Sequence, residues 1–256
     1  MAILGVKDNT LPQISLTKSQ TFVMPQDGNV CIHVIGGGGN GTGSSSAVYG
    51  GAAGGYCKKN SLAVTKGGSF TVVVGAGGPR FTGQADGGNS TVAGPGLSAT
   101  LTANGGDAGA SSGSAGGTAA NGDVNNTGGV GVNTSGGSGG AVGIYGTGEN
   151  GVSSVRGGDS DAQGGESGFG HIGGGGKGGV ASMNYTTSSA QGLTPTPPDA
   201  TGPFAGGGGI EGRNATTRYF GGNGGTGGGG GSSKFSWTGA GGAGGDGLVL
   251  IQYLPS

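Results

Sequence analysis

Apolar and polar residues alternate over short stretches near the two ends of the chain, and these stretches predict β-strands. Phe22-Val23-Met24-Pro25 and Val30-Cys31-Ile32-His33-Val34-Ile35 read as two strands joined by a Gln26-Asp27-Gly28-Asn29 turn. Period-two alternation puts Val30, Ile32 and Val34 on one face and His33 on the non-core face. Tyr56 to Val64 and Phe70 to Val74 read as a further pair across Thr65-Lys66-Gly67-Gly68, with Leu62 and Val64 facing Phe70, Val72 and Val74. Leu97 to Ala103 makes a weaker strand, and Leu248 to Tyr253 a strong one. Short strands with glycine turns predict an antiparallel sandwich or barrel. The N- and C-terminal strands are expected to pair, which closes everything between them into one excursion.

The distribution of large apolar residues supports that division. Of 53 Val, Ile, Leu, Met, Phe, Tyr and Trp residues, 31 fall in the blocks 1–35, 56–103 and 248–254. The excursion, residues 104–247, instead holds 52 glycines in 144 positions. From 113 to 146, nine of the twelve positions taken every third residue are glycine. Three residues per turn is the period of the polyproline-II helix, which has no internal hydrogen bonds. Collagen is excluded, because the register drifts and only 9 residues are proline. The alternative is a bundle of short polyglycine-II helices whose N–H and C=O groups satisfy one another, with glycine permitting the close approach. The non-glycine residue of each triplet is then expected to point outward, and Gly→Val at Gly137 or Gly140 to abolish soluble protein. The expected fold class is therefore all-β: a small antiparallel β-sandwich with a large inserted polyglycine-II helix bundle and loops, and essentially no α-helix. The expected divisions are an N-terminal attachment segment at 1–19, the sandwich at 20–103 plus 248–254, and the glycine-rich bundle at 104–247.

Composition narrows the function classes. Glycine fills 74 of 256 positions, and in a helix interior it costs roughly 1 kcal/mol against alanine, so a helical protein is excluded. A net charge of −1 offers no basic face for nucleic acid. Disorder needs low hydrophobicity together with high net charge, and the charge is missing. Two cysteines, Cys31 and Cys57, are too few to brace the chain and read as buried free thiols. No basic leader precedes the Ile3-Leu4-Gly5-Val6 start, and no apolar run reaches membrane-span length, so a soluble product made in a cytosol is expected.

Catalytic and ligand motifs are weak throughout. Gly-x-Gly-x-x-Gly matches arise by chance at this glycine content. Gly173 to Lys177 lacks the Ser or Thr of a phosphate loop, since Gly178 follows. Gly241 to Val249 matches one calcium-binding nonapeptide, but a single copy cannot share ligands between tandem turns, so a glycine helix entering a strand is the plainer reading. His33, His171, Arg156 and the acidic cluster Asp159, Asp161 and Glu166 assemble no nucleophile–base–orienter set. The expectation is no enzyme, no cofactor and no metal.

The order of landmarks resembles a known family. Phe22 to Pro25, Val30 to Ile35 running into Gly36-Gly37-Gly38-Gly39, Gly54-Gly55-Tyr56, Thr71 to Gly78, Gly87-Gly88-Asn89-Ser90 and Gly244 to Tyr253 resemble the glycine-rich domains of bacteriophage tail fibre proteins. The middle resembles the polyglycine bundles of tip adhesins on T-even-type long tail fibres. Those adhesins carry a separate N-terminal attachment domain, whereas about 20 residues precede the sandwich here. The resemblance implies a virion protein assembled in the host cytoplasm that recognises a bacterial outer-membrane protein or glycan. Its other partners would be fibre or capsid proteins, met through the N-terminal segment and sandwich, with a homo-oligomer possible and nucleic acid excluded. The alternative is a virion structural protein, such as a capsid decoration, head fibre or tail component, whose bundle is a rigid spacer. Ice binding would need a flat face of regularly spaced Thr or Ala, which the spacing does not give. Binding hot spots favour Trp, Tyr and Arg, and within the excursion bulky residues gather between glycine runs. The receptor-contact candidates are accordingly Tyr185, Phe204, Arg218, Tyr219, Phe220, Phe235 and Trp237.

Overall fold

A computed structural model of the chain describes residues 13–43, 48–80, 83–132, 147–148, 150–151, 162–163, 180–181, 210–211, 223–231, 233–234 and 241–255. The strands run in chain order as β1 (Gln13–Leu16), β2 (Gln20–Val23), β3 (Gly28–Ile35), β4 (Thr42–Gly43), β5 (Val48–Tyr49), β6 (Tyr56–Val64), β7 (Ser69–Val73) and β8 (Ser90–Ala93). They continue as β9 (Leu101–Ala103), β10 (Ala119–Ala120), β11 (Val124–Asn126), β12 (Ala162–Gln163), β13 (Val180–Ala181), β14 (Ile210–Glu211), β15 (Ser233–Lys234) and β16 (Leu248–Tyr253). The described residues contain no α-helix, and the fold is all-β.

Two antiparallel sheets of five strands stack on one core, in the orders β1-β16-β3-β6-β11 and β10-β9-β8-β7-β2. Val30, Ile32 and Val34 alternate inward from β3, and each is fully buried against Val249 and Ile251 of β16 and Leu62 and Val64 of β6. Phe70, Val72, Val92 and Leu101 close the core from the opposite sheet. The expected pairing of chain ends is present: Gln13↔Gln252 to Leu16↔Val249 joins β1 to β16, which also pairs with β3. Residues 13–16 thus belong to a sheet, although the sequence reading assigns them to the attachment segment.

Two expected hairpins are corrected. β2 pairs with β7 and not with β3, and β6 pairs with β3 and β11 and not with β7. Both connections cross from one sheet to the other. Two neighbouring strands with one apolar face each can lie side by side or face each other, and facing covers both apolar faces at once. The crossings are tied together, since Met24 N–H donates to the Gly68 carbonyl and Gly67 N–H to the Met24 carbonyl, each at 2.9 Å.

Above the sandwich the strands continue as extended glycine segments. Residues 36–41 leave β3 and form the centre of a lattice. Gly36 and Gly39 N–H donate to Gly55 and Ala52, Gly37 and Asn40 to Gly88 and Ala85, and Gly38 and Gly41 to Gly245 and Gly242, at 2.9–3.1 Å. Successive residues therefore address three neighbours in rotation, and all three neighbours run antiparallel. Carbonyls of the same segment accept from Gly78, Gly106, Gly109 and Gly230, which lie on three parallel segments. One segment is thus surrounded by six, and a bonding direction that repeats every third residue is that of polyglycine II. Residues 50–55 repeat the rotation outward, donating in turn to Val132, Gly230, Asp107, Gly129, Gly227 and Asn104.

The lattice draws on 36–41, 50–55, 75–78 and 85–88 as well as on 104–109, 114–118, 127–132, 224–231 and 241–247. The glycine phase seen over 113–146 spans two separate segments, with β10 and β11 between them as edge strands of the two sheets. Gly137 and Gly140 lie outside the described residues. The expectation that non-glycine residues of the 104–247 bundle point outward is corrected at Ala108, which is buried; Ala52 and Ala53, in a lattice segment outside that range, are fully buried as well. At these positions the packing leaves room for a methyl group. Where the lattice lacks a neighbour, side chains supply the acceptor: Asn89 Oδ1 for Gly105 N–H, Asp86 Oδ1 for Ala108 N–H, Asp246 Oδ1 for Gly77 N–H and Ser90 Oγ for Gly75 N–H, at 2.7–2.9 Å.

Candidate functional site

The lattice has two ends. One is continuous with the sandwich, since 36, 75 and 104 follow strands β3, β7 and β9, while 55, 89, 118 and 247 precede β6, β8, β10 and β16. At the other end the chain turns back. Residues 109–114 reverse there; 36–43, 75–80 and 224–231 run toward it, 48–55, 83–88 and 241–247 run away from it, and 127–132, antiparallel to 50–55, also runs toward it.

Asn40 organises this far end. It is the only non-glycine residue in 36–41 and is almost fully buried. Its Nδ2 donates to the Pro79 and Gly83 carbonyls at 3.0 and 2.9 Å, and its Oδ1 accepts from Ala85 N–H at 3.0 Å. Beside it, Thr42 Oγ1 donates to the Gly109 carbonyl at 2.7 Å, and β4 pairs with β5. Strand β15 lies against β4 and β5 and pairs in parallel with β14, as Ile210↔Ser233 and Glu211↔Lys234. The far end therefore gathers backbone from three parts of the chain: 42–43 with 48–49, 210–211, and 233–234. Sequence reading missed Asn40, and the signal was present in its being the one interruption of a six-residue glycine run.

All seven receptor-contact candidates, Tyr185, Phe204, Arg218, Tyr219, Phe220, Phe235 and Trp237, lie outside the described residues, as do Arg156, Asp159, Asp161, Glu166, His171 and Lys177. Phe235 follows β15 directly in sequence, and Phe204 precedes β14 by six positions.

One group of chemistry-bearing side chains lies within the described residues. On the non-core face of β3, Cys31 Sγ stands 3.2 Å from His33 Nε2, and His33 Nδ1 stands 2.7 Å from the Tyr56 hydroxyl. The His33 and Tyr56 rings are tilted at 51°. Burial pushes the Cys31 thiol up, with Lys58 opposing. Burial, and then the Lys58 charge, pushes His33 down to about 4. Burial also raises Tyr56 far above the usual phenol range. Every member is therefore neutral near pH 7, whereas an activated cysteine requires a lowered thiol pKa. The row satisfies buried polar atoms; a thiolate–imidazolium pair is disfavoured at both partners.

Cys57 points into the core, where it donates to the Ala120 carbonyl at 3.2 Å, and burial pushes its thiol up to about 11. Both cysteines are free and buried, as the sequence reading expects. The single nonapeptide match resolves into lattice chemistry, because Asp246 accepts the Gly77 N–H. No group of three or more His, Cys, Asp or Glu side chains among the described residues is arranged to hold a metal ion.

No curated protein matches the chain. The family comparison is informative: the glycine-rich domain matches residues 15–254, from inside β1 to just past β16. That span takes in both sheets and the whole glycine lattice, and the chain belongs to the glycine-rich domain family.

Proposed function

We propose that this protein is a bacteriophage virion adhesin, with the sandwich facing the particle and the far end of the glycine lattice facing a bacterial outer-membrane protein or glycan. The observation that carries this reading is the polarity of the lattice. The 109–114 turn lies at the end remote from the sandwich, and the backbone flanking the bulky interruptions (210–211 and 233–234) lies at that same end. Loops on a rigid scaffold carry binding function, and a lattice bonded on six sides is such a scaffold. Prolines at 195, 197, 198 and 203 lower the entropy lost when a loop is immobilised. On this reading the partners are fibre or capsid proteins and a surface receptor, no cofactor takes part, and the activity is binding and not catalysis.

The test is an exchange of residues 183–204 and 214–220 for those of a relative with a different host. Altered adsorption with intact folding and particle assembly is the expected result. Unchanged adsorption after both exchanges overturns the adhesin reading and favours the rigid spacer. Labelled-antibody micrographs separate the same pair: a few copies at tail ends for adhesion, hundreds on the head for decoration.

A further inference from the structure

The sequence contains five Asn-Gly dipeptides, at 40–41, 104–105, 121–122, 150–151 and 223–224. This dipeptide is prone to spontaneous ring closure, because glycine leaves its own nitrogen unobstructed. We propose that the fold suppresses the reaction wherever the dipeptide sits in the glycine lattice and leaves Asn121–Gly122 as the site of spontaneous modification, independently of the adhesin reading.

The chemistry requires the glycine nitrogen to lose its proton and attack the preceding asparagine Cγ. A C–N bond forms, the bond to the side-chain nitrogen breaks, and ammonia leaves. Water then opens the five-membered imide at either carbonyl, giving aspartate or isoaspartate. The backbone between the two residues must rotate, and any hydrogen bond held by the glycine N–H must open.

In the lattice both conditions meet resistance. Gly41 N–H donates to Gly242, and Asn40 has its amide nitrogen and its oxygen committed to Pro79, Gly83 and Ala85. Gly224 N–H donates to Ala243 while Asn223 Oδ1 accepts from the same residue's N–H. Gly105 N–H donates to Asn89 Oδ1, between the lattice bonds of Asn104 to Thr118 and of Gly106 to Gly37. Rotation at any of these breaks neighbouring bonds too. Asn150–Gly151, joined to Val130 at the lattice border, is less enclosed.

Asn121–Gly122 lies outside the lattice, at the corner where the chain passes from β10 in one sheet to β11 in the other. Asn121 is exposed and has φ of 68°, the positive-φ non-glycine residue of the described chain. Its restraints are three exposed side-chain bonds: Asn121 Nδ2 to the Thr100 carbonyl at 2.8 Å, Gly122 N–H to Asn125 Oδ1 at 3.1 Å, and Asn125 Nδ2 to the Gly122 carbonyl at 2.8 Å. They are side-chain bonds at the surface, and opening them breaks no backbone bond of the lattice. The product matters to the fold, because the adjacent Asp123 holds β11 to β6 by accepting from Lys59 Nζ at 2.8 Å and Asn60 N–H at 2.7 Å. An isoaspartate at 121 lengthens the backbone of this corner and adds a second carboxylate beside that anchor.

The five dipeptides form an internal comparison. The full chain is incubated at mildly alkaline pH, folded in buffer and unfolded in denaturant, and peptide mapping follows deamidation at each asparagine. Unfolded, the five should react at similar rates. Folded, Asn40, Asn104 and Asn223 should slow by roughly tenfold or more, which corresponds to a local opening free energy of about 1.4 kcal/mol, while Asn121 stays within a few-fold of its unfolded rate. The proposal is overturned if any of those three keeps pace with Asn121, or if Asn121 is slowed as strongly as they are.

Discussion

Gly38 and Gly83 differ in the space around the position a Cβ would take. At Gly38 a methyl would meet the Gly228 carbonyl, which is fixed by its own lattice bond, whereas at Gly83 nothing lies within 4 Å. Overpacking typically costs about 1–3 kcal/mol where side chains can yield, and rigid backbone yields less. Gly38→Ala should therefore lose about 3 kcal/mol or more, while Gly83→Ala stays within about 0.5 kcal/mol. Urea midpoints measure both, and equal midpoints would remove the close-packed lattice from the explanation. His33 sets a second residue-scale expectation. Its pKa falls from 6.5 to about 4 on folding through burial and then the Lys58 charge, so between those values the unfolded chain binds more protons. Stability should then rise with pH across that window, be fully present above it, and fall away on acidification toward pH 4. The whole effect is about 3 kcal/mol. His33→Gln should flatten the pH profile between 4 and 6.5; an unchanged slope would show that other groups set it.

At the scale of elements, each glycine segment inherits its phase from the strand beside it. β3 delivers Gly36 with its N–H toward Gly55, and the next two residues then address Gly88 and Gly245 without choice. Inserting one glycine after Gly38 turns each later residue by a third of a revolution. Each backbone N–H then takes the acceptor of its successor, while the Asn40 amide turns away from Pro79, Gly83 and Ala85. Each unsatisfied buried group costs about 1–3 kcal/mol. The insertion should therefore keep a cooperative thermal transition and lower the urea midpoint about as far as Asn40→Ala does. An unchanged midpoint would show that bonding direction does not govern this segment. The same logic explains why Asn40 is accommodated within 36–41: in the last turn of the segment, its amide replaces lattice partners for Pro79, Gly83 and Ala85.

At the scale of the molecule, the central segment is complete only when residues far along the chain arrive. Its six neighbours come from 50–55, 75–78, 85–88, 104–109, 228–231 and 242–245, and β16 enters the first sheet between β1 and β3. Contacts of such high sequence separation slow folding, because loop closure must precede the bonds that reward it. Refolding from urea should take seconds or longer, and a chain ending before residue 241 should remain protease-sensitive throughout. A protease-resistant sandwich from that truncated chain would mean that the sheets close without β16.

The sequence by itself determined what each stretch could become. Alternation in Val30 to Ile35 and Leu248 to Tyr253 marked strands with a single apolar face, and glycine at every third position marked a helix that cannot bond to itself. Both signals are local, because they arise from the geometry of one extended chain. Partners were a different matter. Whether β2 meets β3 or β7, whether Ala53 faces solvent or the lattice, and which acceptor Gly38 finds all depend on the arrangement of segments tens to hundreds of residues apart. Glycines carry no side chain by which one could be told from another, so their neighbours could not be read from the chain. The tertiary structure also brought Cys31, His33 and Tyr56 into one buried row and turned Asp246, a residue of a calcium-like motif, into a cap for Gly77. Burial and the geometry of the packed lattice, not residue type, decided those roles.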